Sequence, residues 1–220
     1  MTAKSIVISW SSGKDSCLTL LELLDNPNYN VTGLFTTHVN DYVPFQETPL
    51  EVIKLQAERL NLPLITAELP KTFPDNRIYK KIVIDHLKAA EIPIDGIAFG
   101  DMFCNGIEDY RRSFLEPAGF ECVFPLLGKT PESLAQAILK RNIETRLITV
   151  DTSQLDGRFV GRIYDQQLLN ELPSSVDPCG ENGEFHTLVT NAPCYSQPIS
   201  ITLEDIIKGD RFHVQKYRVR

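Results

Sequence analysis

Hydroxyl groups, a glycine, a lysine and an aspartate follow one another in one loop near the N-terminus. These residues are Ser11, Ser12, Gly13, Lys14, Asp15 and Ser16. Serine hydroxyls and the free N–H groups at the start of a helix bind phosphate, and a lysine adds a compact positive charge. No glycine lies five positions before Gly13-Lys14, and Asp15 follows, so this is not a Walker A loop. The sequence predicts a phosphate or pyrophosphate site, with an ordinary capped turn as the alternative.

A second polar loop, D-P-C-G-E-N-G-E-F-H-T, covers residues 177–187. Its glycines permit close approach of the backbone to a ligand, and its ionisable and hydrogen-bonding side chains are Glu181, Asn182, Glu184, His186 and Thr187. Side chains of these types, close together in one loop, are those of a binding or catalytic site. The alternatives are a solvated surface loop and, for Cys179, a nucleophile without an identifiable histidine partner.

Strand-like and helix-like patterns alternate along the first half of the chain and would position the first loop. The pattern predicts strands at 5–9, 31–36, 64–67 and 96–100, and helices at 17–24, 48–60 and 75–90. Such alternation is typical of an α/β protein with a mainly parallel sheet covered by helices on both faces. Sheets of this kind bind ligands at the carboxyl ends of their strands.

The second half of the chain has a different pattern. A helix is predicted at 131–141, and strands are predicted at 121–124, 146–150, 185–189, 199–203 and 212–219. We therefore expect a Rossmann-like domain over 1–125 and a smaller C-terminal α+β lobe over 126–220.

Composition restricts the class of protein and its partners. The 220 residues carry a net charge of −7 with a pI near 5.2, which argues against a nucleic-acid partner. The basic residues of 208–220 fit the solvent face of a strand better than a nucleic-acid patch. No apolar run is long enough for a membrane helix, and the first residues lack a secretory h-region, so we expect a cytoplasmic protein without membrane contact. A homo-oligomer is compatible with the sequence.

The five cysteines form no C-x-x-C pair, so neither a disulfide framework nor a metal centre is indicated. Apart from Cys179, they are Cys17, Cys104, Cys122 and Cys194, which we expect to be small buried hydrophobic residues.

The loop 11–16 resembles the PP-loop, S-G-G-K-D-S, of the ATP pyrophosphatases, with Ser12 where glycine is commoner. A serine fits there if the turn does not demand a positive φ. The second loop contains G-E-N-G-E-F-H-T, which resembles G-E-[GN]-G-E-[FY]-x-T of the diphthine–ammonia ligase family. Residues 99–101, 109–111, 116, 124–126 and 157–165 also look like landmarks of that family. The resemblance covers about residues 5–199 and is closest to the family's bacterial branch.

The resemblance implies an adenine nucleotide α-hydrolase-like fold with a PP-loop ATP-binding domain and a C-terminal substrate-binding lobe. It implies a ligase that uses ATP and Mg²⁺ to adenylate a carboxylate, releases pyrophosphate, and lets ammonia displace AMP to leave an amide. In a eukaryote or archaeon the acceptor would be a modified histidine of elongation factor 2. In a bacterium it would be another small molecule or protein.

The resemblance also implies roles for residues of the first half. Residues 11–16 would hold the β- and γ-phosphates, with Lys14 offsetting charge on the leaving pyrophosphate and Asp15 helping to place Mg²⁺. The segment Thr36, Thr37 and His38 would cradle the adenine. Gly100 and Asp101 would face the α-phosphate or the acceptor, with helix capping as the alternative for Asp101.

Arg111 or Arg112 would pair with a phosphate or the acceptor carboxylate, with salt bridges along a helix as the alternative. In the second half, the acceptor and ammonia pocket would consist of Gly180, Glu181, Asn182, Gly183, Glu184, His186 and Thr187. The catalytic residues would be Lys14, Asp101, Glu181, Glu184 and His186.

Two other functions remain open. One is an ATP-binding protein of the same kind that acts on a different acceptor, and the other is a nucleotide-binding protein without catalysis. A tRNA-modifying enzyme is disfavoured by the acidic pI and the lack of a C-x-x-C pair.

Overall fold

The computed structural model describes residues 2–44, 47–102 and 106–220. In this part of the chain, seven strands precede residue 125: Lys4–Ser9 (β1), Tyr29–His38 (β2), Tyr42–Val43 (β3), Thr48–Pro49 (β4), Leu64–Glu68 (β5), Gly96–Ala98 (β6) and Glu121–Val123 (β7). Five of them form a parallel sheet in the order β5–β2–β1–β6–β7, while β3 and β4 pair with each other.

Helices cover both faces of the parallel sheet. The helices of the described residues are Lys14–Leu24 (α1), Leu50–Leu60 (α2), Asn76–Ala89 (α3), Ile107–Leu115 (α4), Pro131–Lys140 (α5) and Gln166–Glu171 (α6). Side chains alternate along β1, so Ile6 and Ile8 pack with α1, α2 and α5, whereas Val7 packs with α3 and α4. The predicted α/β class, with a parallel sheet between two helical layers, is confirmed.

A second, antiparallel sheet follows in the order β10–β11–β8–β9. Its strands are Glu144–Asp151 (β8), Phe185–Asn191 (β9), Ile201–Lys208 (β10) and Phe212–Val219 (β11). Leu147 of β8 and Val189 of β9 belong to the same apolar core as Ile6 and Ile8, so the two sheets share one core. The smaller C-terminal α+β part is confirmed, while the division into two lobes at residue 125 stays a prediction.

Several predicted bounds are wrong for local reasons. The helix predicted at 48–60 begins at Leu50, because Thr48 and Pro49 pair with β3 and extended Pro49 caps the helix. The helix predicted at 17–24 begins at Lys14. Its first turn consists of polar residues, so the apolar periodicity that predicts the helix starts only after it. The strand predicted at 96–100 ends at Ala98, which leaves Gly100 and Asp101 in the following loop. Helix α6 and the β3–β4 pair were not predicted, and α4 was expected only in the salt-bridge alternative for Arg111 and Arg112.

Cys17 and Cys122 are buried as predicted, Cys194 is half-buried, and Cys104 lies outside the described residues. The described helices include none with both the length and the apolar character needed to cross a membrane.

Candidate active site

The first loop connects the end of β1 to the start of α1, where it presents backbone N–H groups. Gly13 is the extended N-cap residue of α1. The backbone N–H of Lys14 donates to Thr187 Oγ1 at 3.1 Å, and Ser16 Oγ donates to the carbonyl of Gly13 at 2.9 Å. A residue of β9 is thus bonded directly to the phosphate-type loop, which brings the two halves of the chain together here.

Ser12 adopts a positive φ of 75°, a conformation that glycine adopts without steric cost. The turn therefore does demand φ > 0, contrary to the condition set for a serine at this position. Three hydrogen bonds offset the cost: Ser12 Oγ lies 2.9 Å from Thr48 Oγ1, and its carbonyl accepts from Val189 N at 3.0 Å and from Gln56 Nε2 at 3.3 Å. Ser12 is fully buried and does not line the cavity described below.

Lys14 is buried, with 2% of its surface exposed, and its ammonium is surrounded by acceptors. Lys14 Nζ contacts both carboxylate oxygens of Asp15, at 2.8 and 2.9 Å, and donates to the carbonyl of Cys179. Burial is the largest single influence and lowers the pKa of Lys14, but the charge and hydrogen bond of Asp15, together with Cys179 and Glu181, outweigh it, so the net pKa is raised. Lys14 is consequently a fixed positive charge that connects both loops.

Glu184 holds the second loop in shape. Its buried carboxylate accepts from Asp177 N at 2.9 Å, Asn182 N at 3.0 Å and Asn182 Nδ2 at 3.1 Å. The loop also turns at Gly180, whose φ is 72° and whose missing Cβ would lie 2.9 Å from the carbonyl of Phe185. Glu184 therefore satisfies the loop's own donors, and its predicted catalytic role is not supported by these contacts.

Glu181 differs from Glu184 in its surroundings. Burial, followed by the charge of Asp15, raises the pKa of Glu181 to about 7, although Lys14 opposes the shift. Near neutral pH this carboxylate exchanges its proton readily, as a general base requires.

His186 and Cys179 are less reactive than the sequence alone allows. Burial, assisted by Lys14, lowers the pKa of His186 to about 4, so its imidazole is neutral at pH 7. Burial raises the pKa of Cys179 to about 12, and its thiol donates to the carbonyl of Pro131. A thiol with this pKa is a poor nucleophile.

Asp101 and Arg111 form a partly buried ion pair after β6. Arg111 donates Nε and Nη2 to the two carboxylate oxygens at 2.7 and 3.2 Å, and its guanidinium lies 4.0 Å from the ring centre of Phe99. Asp101 is therefore not a helix cap. Arg112 instead pairs with Glu108 and Glu116 along α4, as the salt-bridge alternative predicted.

The two loops line one cavity of about 250 Å³. It lies at the carboxyl ends of β1 and β6, where a parallel sheet binds ligands. Its walls include Ser11, Gly13, Lys14, Asp15, Ser16, Gly100, Asp101, Arg111, Gly180, Glu181, Gly183, His186 and Thr187. Most of the predicted site residues are thus brought together. Ser12, Glu184 and Arg112 do not line this cavity.

A smaller cavity of about 100 Å³ adjoins the first and shares Ser9, Ser11, Phe99 and Arg111 with it. Thr36 and Thr37 line this smaller cavity, and Thr36 Oγ1 is buried without a hydrogen-bond partner in the described part of the chain. His38, predicted beside them, directs Nδ1 to the carbonyl of Asn40 in its own turn.

A third cavity, of about 720 Å³, was missed by the sequence analysis. It shares Gly183 and His186 with the first cavity and also includes Asn182. Thr149 and Asp151 of β8 line it as well, as does Arg211 in the turn before β11, and no local motif marks these residues.

Among residues 2–44, 47–102 and 106–220, no group of three or more His, Cys, Asp or Glu side chains is arranged to hold a metal ion. Asp15, predicted to help place Mg²⁺, is ion-paired with Lys14.

Comparison with known proteins agrees with the resemblance of the two loops to the diphthine–ammonia ligase family. Residues 130–217 match the family described as diphthamide synthase C-terminal domain. The chain is also 24% identical, over 240 aligned residues, to the diphthine–ammonia ligase of Schizosaccharomyces pombe. The alignment includes 96% of this chain and 38% of that protein, so the chain spans well under half the length of its relative. The resemblance to the diphthine–ammonia ligase family is confirmed, and its bacterial branch stays a prediction.

Two solved structures from archaea are similar in part. One, described as a predicted subunit of tRNA methyltransferase from Methanocaldococcus jannaschii, has a TM-score of 0.49 and 16% identity, covering 86% of this chain and 98% of that one. The other, a U34-tRNA thiolase from Methanococcus maripaludis with its [4Fe-4S] cluster, has a TM-score of 0.38 and 16% identity, covering 62% and 56%.

Proposed function

We propose that the protein is an ATP-dependent ligase that adenylates a carboxylate and transfers the acyl group to ammonia. One observation carries this proposal: the two loops that resemble the family line a single cavity, with Lys14 between them. The chemistry begins when an acceptor carboxylate oxygen attacks the α-phosphorus of ATP. Pyrophosphate leaves, and an acyl-adenylate remains.

The first loop is proposed to bind the triphosphate. The N–H groups at the start of α1 and the hydroxyls of Ser11 and Ser16 supply donors, and Lys14 supplies charge at the leaving pyrophosphate. Arg111 is held by Asp101 and Phe99 on the opposite wall, where its remaining donors are available to phosphate oxygens. The nucleoside would extend into the smaller cavity at Thr36 and Thr37.

The second loop is proposed to carry out the amide-forming step. Ammonia attacks the acyl carbon of the adenylate, AMP leaves, and the nitrogen must lose a proton. Glu181 lines the cavity and has a pKa of about 7, so it is suited to accept that proton. Neutral His186 is proposed to orient the acceptor by hydrogen bonding.

Magnesium fits this cavity as a nucleotide-borne ion. Mg²⁺ is usually bound by one or two carboxylates together with substrate phosphates, and Asp15 lines the cavity. Here it would screen the charge of the phosphates.

Product analysis separates the proposal from its alternatives. The purified protein is incubated with Mg-ATP, ammonium and a filtrate or retentate of a cell extract, and nucleotides are identified by mass spectrometry. AMP and pyrophosphate that depend on an extract fraction are expected. ADP and phosphate would contradict the proposal, and bound ATP without turnover in any fraction would favour a non-catalytic nucleotide-binding protein.

Two kinds of acceptor are distinguished by experiment. The S. pombe relative's name gives diphthine as its substrate, and the family resemblance implies a modified histidine of elongation factor 2 as one candidate acceptor. If that protein, prepared with its histidine in the carboxylate form, supports AMP formation, it is a substrate. If only the low-molecular-mass filtrate does, the acceptor is a small molecule.

A further inference from the structure

The cavity of about 720 Å³ beside the proposed ATP site has a floor built from the antiparallel sheet. Thr149 in β8 lies opposite His186 in β9 on one side and Val214 in β11 on the other. Directly paired residues project from the same face of a sheet, so these three side chains form one row. The segment 39–44 after β2 forms the facing wall. The volume is that of a small-molecule site.

Thr149 contributes a hydroxyl group that no atom of the described residues satisfies. Its Oγ1 is buried and lacks a hydrogen-bond partner in the described part of the chain, and only 3% of the residue is exposed. An unpaired buried hydroxyl destabilises the fold. Because Thr149 is among the residues that line the cavity, a bound molecule with a hydrogen-bonding group is placed to supply the missing partner.

Arg211 contributes a positive charge at the rim of the same cavity. Its Nε and Nη2 donate to Asp151 Oδ2 at 3.0 and 2.7 Å, which fixes the direction of the guanidinium. The Asp151 carboxylate is itself buried and also accepts from Ser153 and Gln154. Arginine has five N–H donors, so the ion pair leaves others for a ligand.

We propose that this cavity binds the body of the acceptor, a small carboxylic acid with an apolar portion, and directs its carboxylate past His186 to the ATP site. The inference rests on the ligase function proposed above. Apolar surface comes from Val39, Val43 and Val214, while Thr149 and Arg211 supply polar contacts. Gly183 and His186, which line both cavities, mark the passage between them.

The test uses a defined set of fluorinated carboxylic acids of fragment size, each matched with its primary amide. Binding to the full chain is measured by fluorine NMR, with and without a non-hydrolysable ATP analogue that fills the first cavity. Some acids are expected to bind with Kd below about 1 mM, more tightly than their amides, and to remain bound beside the ATP analogue. Absence of any binding acid, or displacement of every acid by the analogue, would overturn the inference.

Two substitutions locate the bound acids. Thr149→Val removes the unpaired hydroxyl with little change of shape, and we expect roughly tenfold weaker binding with a Tm that is unchanged or raised by ~2–4 °C. Val214→Trp should fill the cavity and abolish binding. A Thr149→Val protein that binds the acids as tightly as the original would contradict the proposed contact.

Matched controls test whether these effects are local. Thr145 lies on the same strand but donates to the carbonyl of Leu188 at 2.9 Å, so Thr145→Val should lower Tm by ~2–4 °C and leave acid binding unchanged. Ile206, opposite Gln215, lies on an exposed stretch of β10 outside the cavity, and Ile206→Trp should also leave binding unchanged.

The failure of this inference and that of the ligase proposal give different results. If acids bind in the cavity but no conditions yield AMP, the binding site stands and the ligase proposal fails. If an extract fraction supports AMP formation while Thr149→Val and Val214→Trp leave its half-saturating concentration unchanged, the ligase stands and the acceptor lies elsewhere.

Discussion

The loop 11–16 and the loop 177–187 reach the same cavity, but different contacts hold them. The first loop depends on distant segments: Ser12 bonds to Thr48 and to Val189, and Lys14 bonds to Thr187. The second loop also has distant contacts, through Cys179 to Lys14 and Pro131, but in addition the carboxylate of Glu184 binds donors of the loop itself. A polar residue in such a loop therefore serves either the ligand or the loop itself, and contacts distinguish the two.

Glu181 and Glu184 illustrate this difference within one loop. They lie three residues apart, yet Glu181 lines the cavity with a pKa raised to about 7, whereas Glu184 is saturated by backbone and amide donors. Substitution of Glu181 should consequently act mainly on activity, and substitution of Glu184 mainly on stability.

The largest expected effect follows from Lys14→Met. The variant loses the buried positive charge between the loops, so the triphosphate meets Asp15 and Glu181 without compensation. We expect AMP formation to fall by at least ~100-fold, measured with saturating Mg-ATP and the active extract fraction. Lys129→Met removes an exposed lysine paired with Glu22 and should stay near the original rate. If both variants lost the same fraction of AMP formation, the loss would follow from removing any lysine and not from the charge of Lys14 in the cavity.

Glu181→Gln should reduce amide formation by ~10- to 100-fold at pH 8. The original protein should gain rate through about pH 7 as Glu181 ionises, and the variant should lack this step. Hydroxylamine, a much weaker base than ammonia, replaces it in this assay and yields a hydroxamate. Its total concentration is adjusted at each pH so that the concentration of the free base stays constant. A rate step near pH 7 that persists in the variant would assign the titration to another group.

The same substitution has a stability signature with a definite sign. The folded-state pKa of Glu181, about 7, exceeds its ordinary value of 4.5, so the fold favours the protonated form. Its contribution to stability is fully present below pH 4.5 and is lost progressively as the pH rises from there through 7. Glutamine is always neutral, so Glu181→Gln should match the original Tm at about pH 4 and exceed it at pH 8. A variant that is less stable at pH 8 would contradict the raised pKa.

Glu184→Gln should act mainly on stability. Glutamine offers one acceptor oxygen and turns an NH₂ group toward donors that the carboxylate satisfied, so we expect a loss of about 1–3 kcal/mol in the free energy of unfolding. Denaturant unfolding measures this loss. Glu91→Gln, at an exposed position, should change it by less than ~0.5 kcal/mol. A Glu184→Gln protein with original stability but no amide formation would restore the predicted catalytic role.

The sequence predicts the parallel half of the fold well, because its strands and helices have strong apolar periods and its loop residues lie at strand ends. It also identifies both loops of the cavity. It cannot reveal that Thr149, Asp151 and Arg211 share the third cavity, because the pairing of β8 with β11 brings together residues 60 positions apart. Nor does it separate Glu181 from Glu184, since that depends on which backbone donors each carboxylate meets.

Ser12 gives the smallest expected effect and tests how the first loop is held. Ser12→Gly relieves the positive φ but loses the bond to Thr48, so the free energy of unfolding should change by less than ~1 kcal/mol. Ser12→Ala loses the same bond and keeps the strain, so it should be less stable than Ser12→Gly by about 1 kcal/mol. Because Ser12 does not line the cavity, both variants should bind ATP with nearly original affinity. If Ser12→Ala instead equals Ser12→Gly in stability, the positive φ carries no cost, and the hydrogen bonds alone account for the loop's conformation.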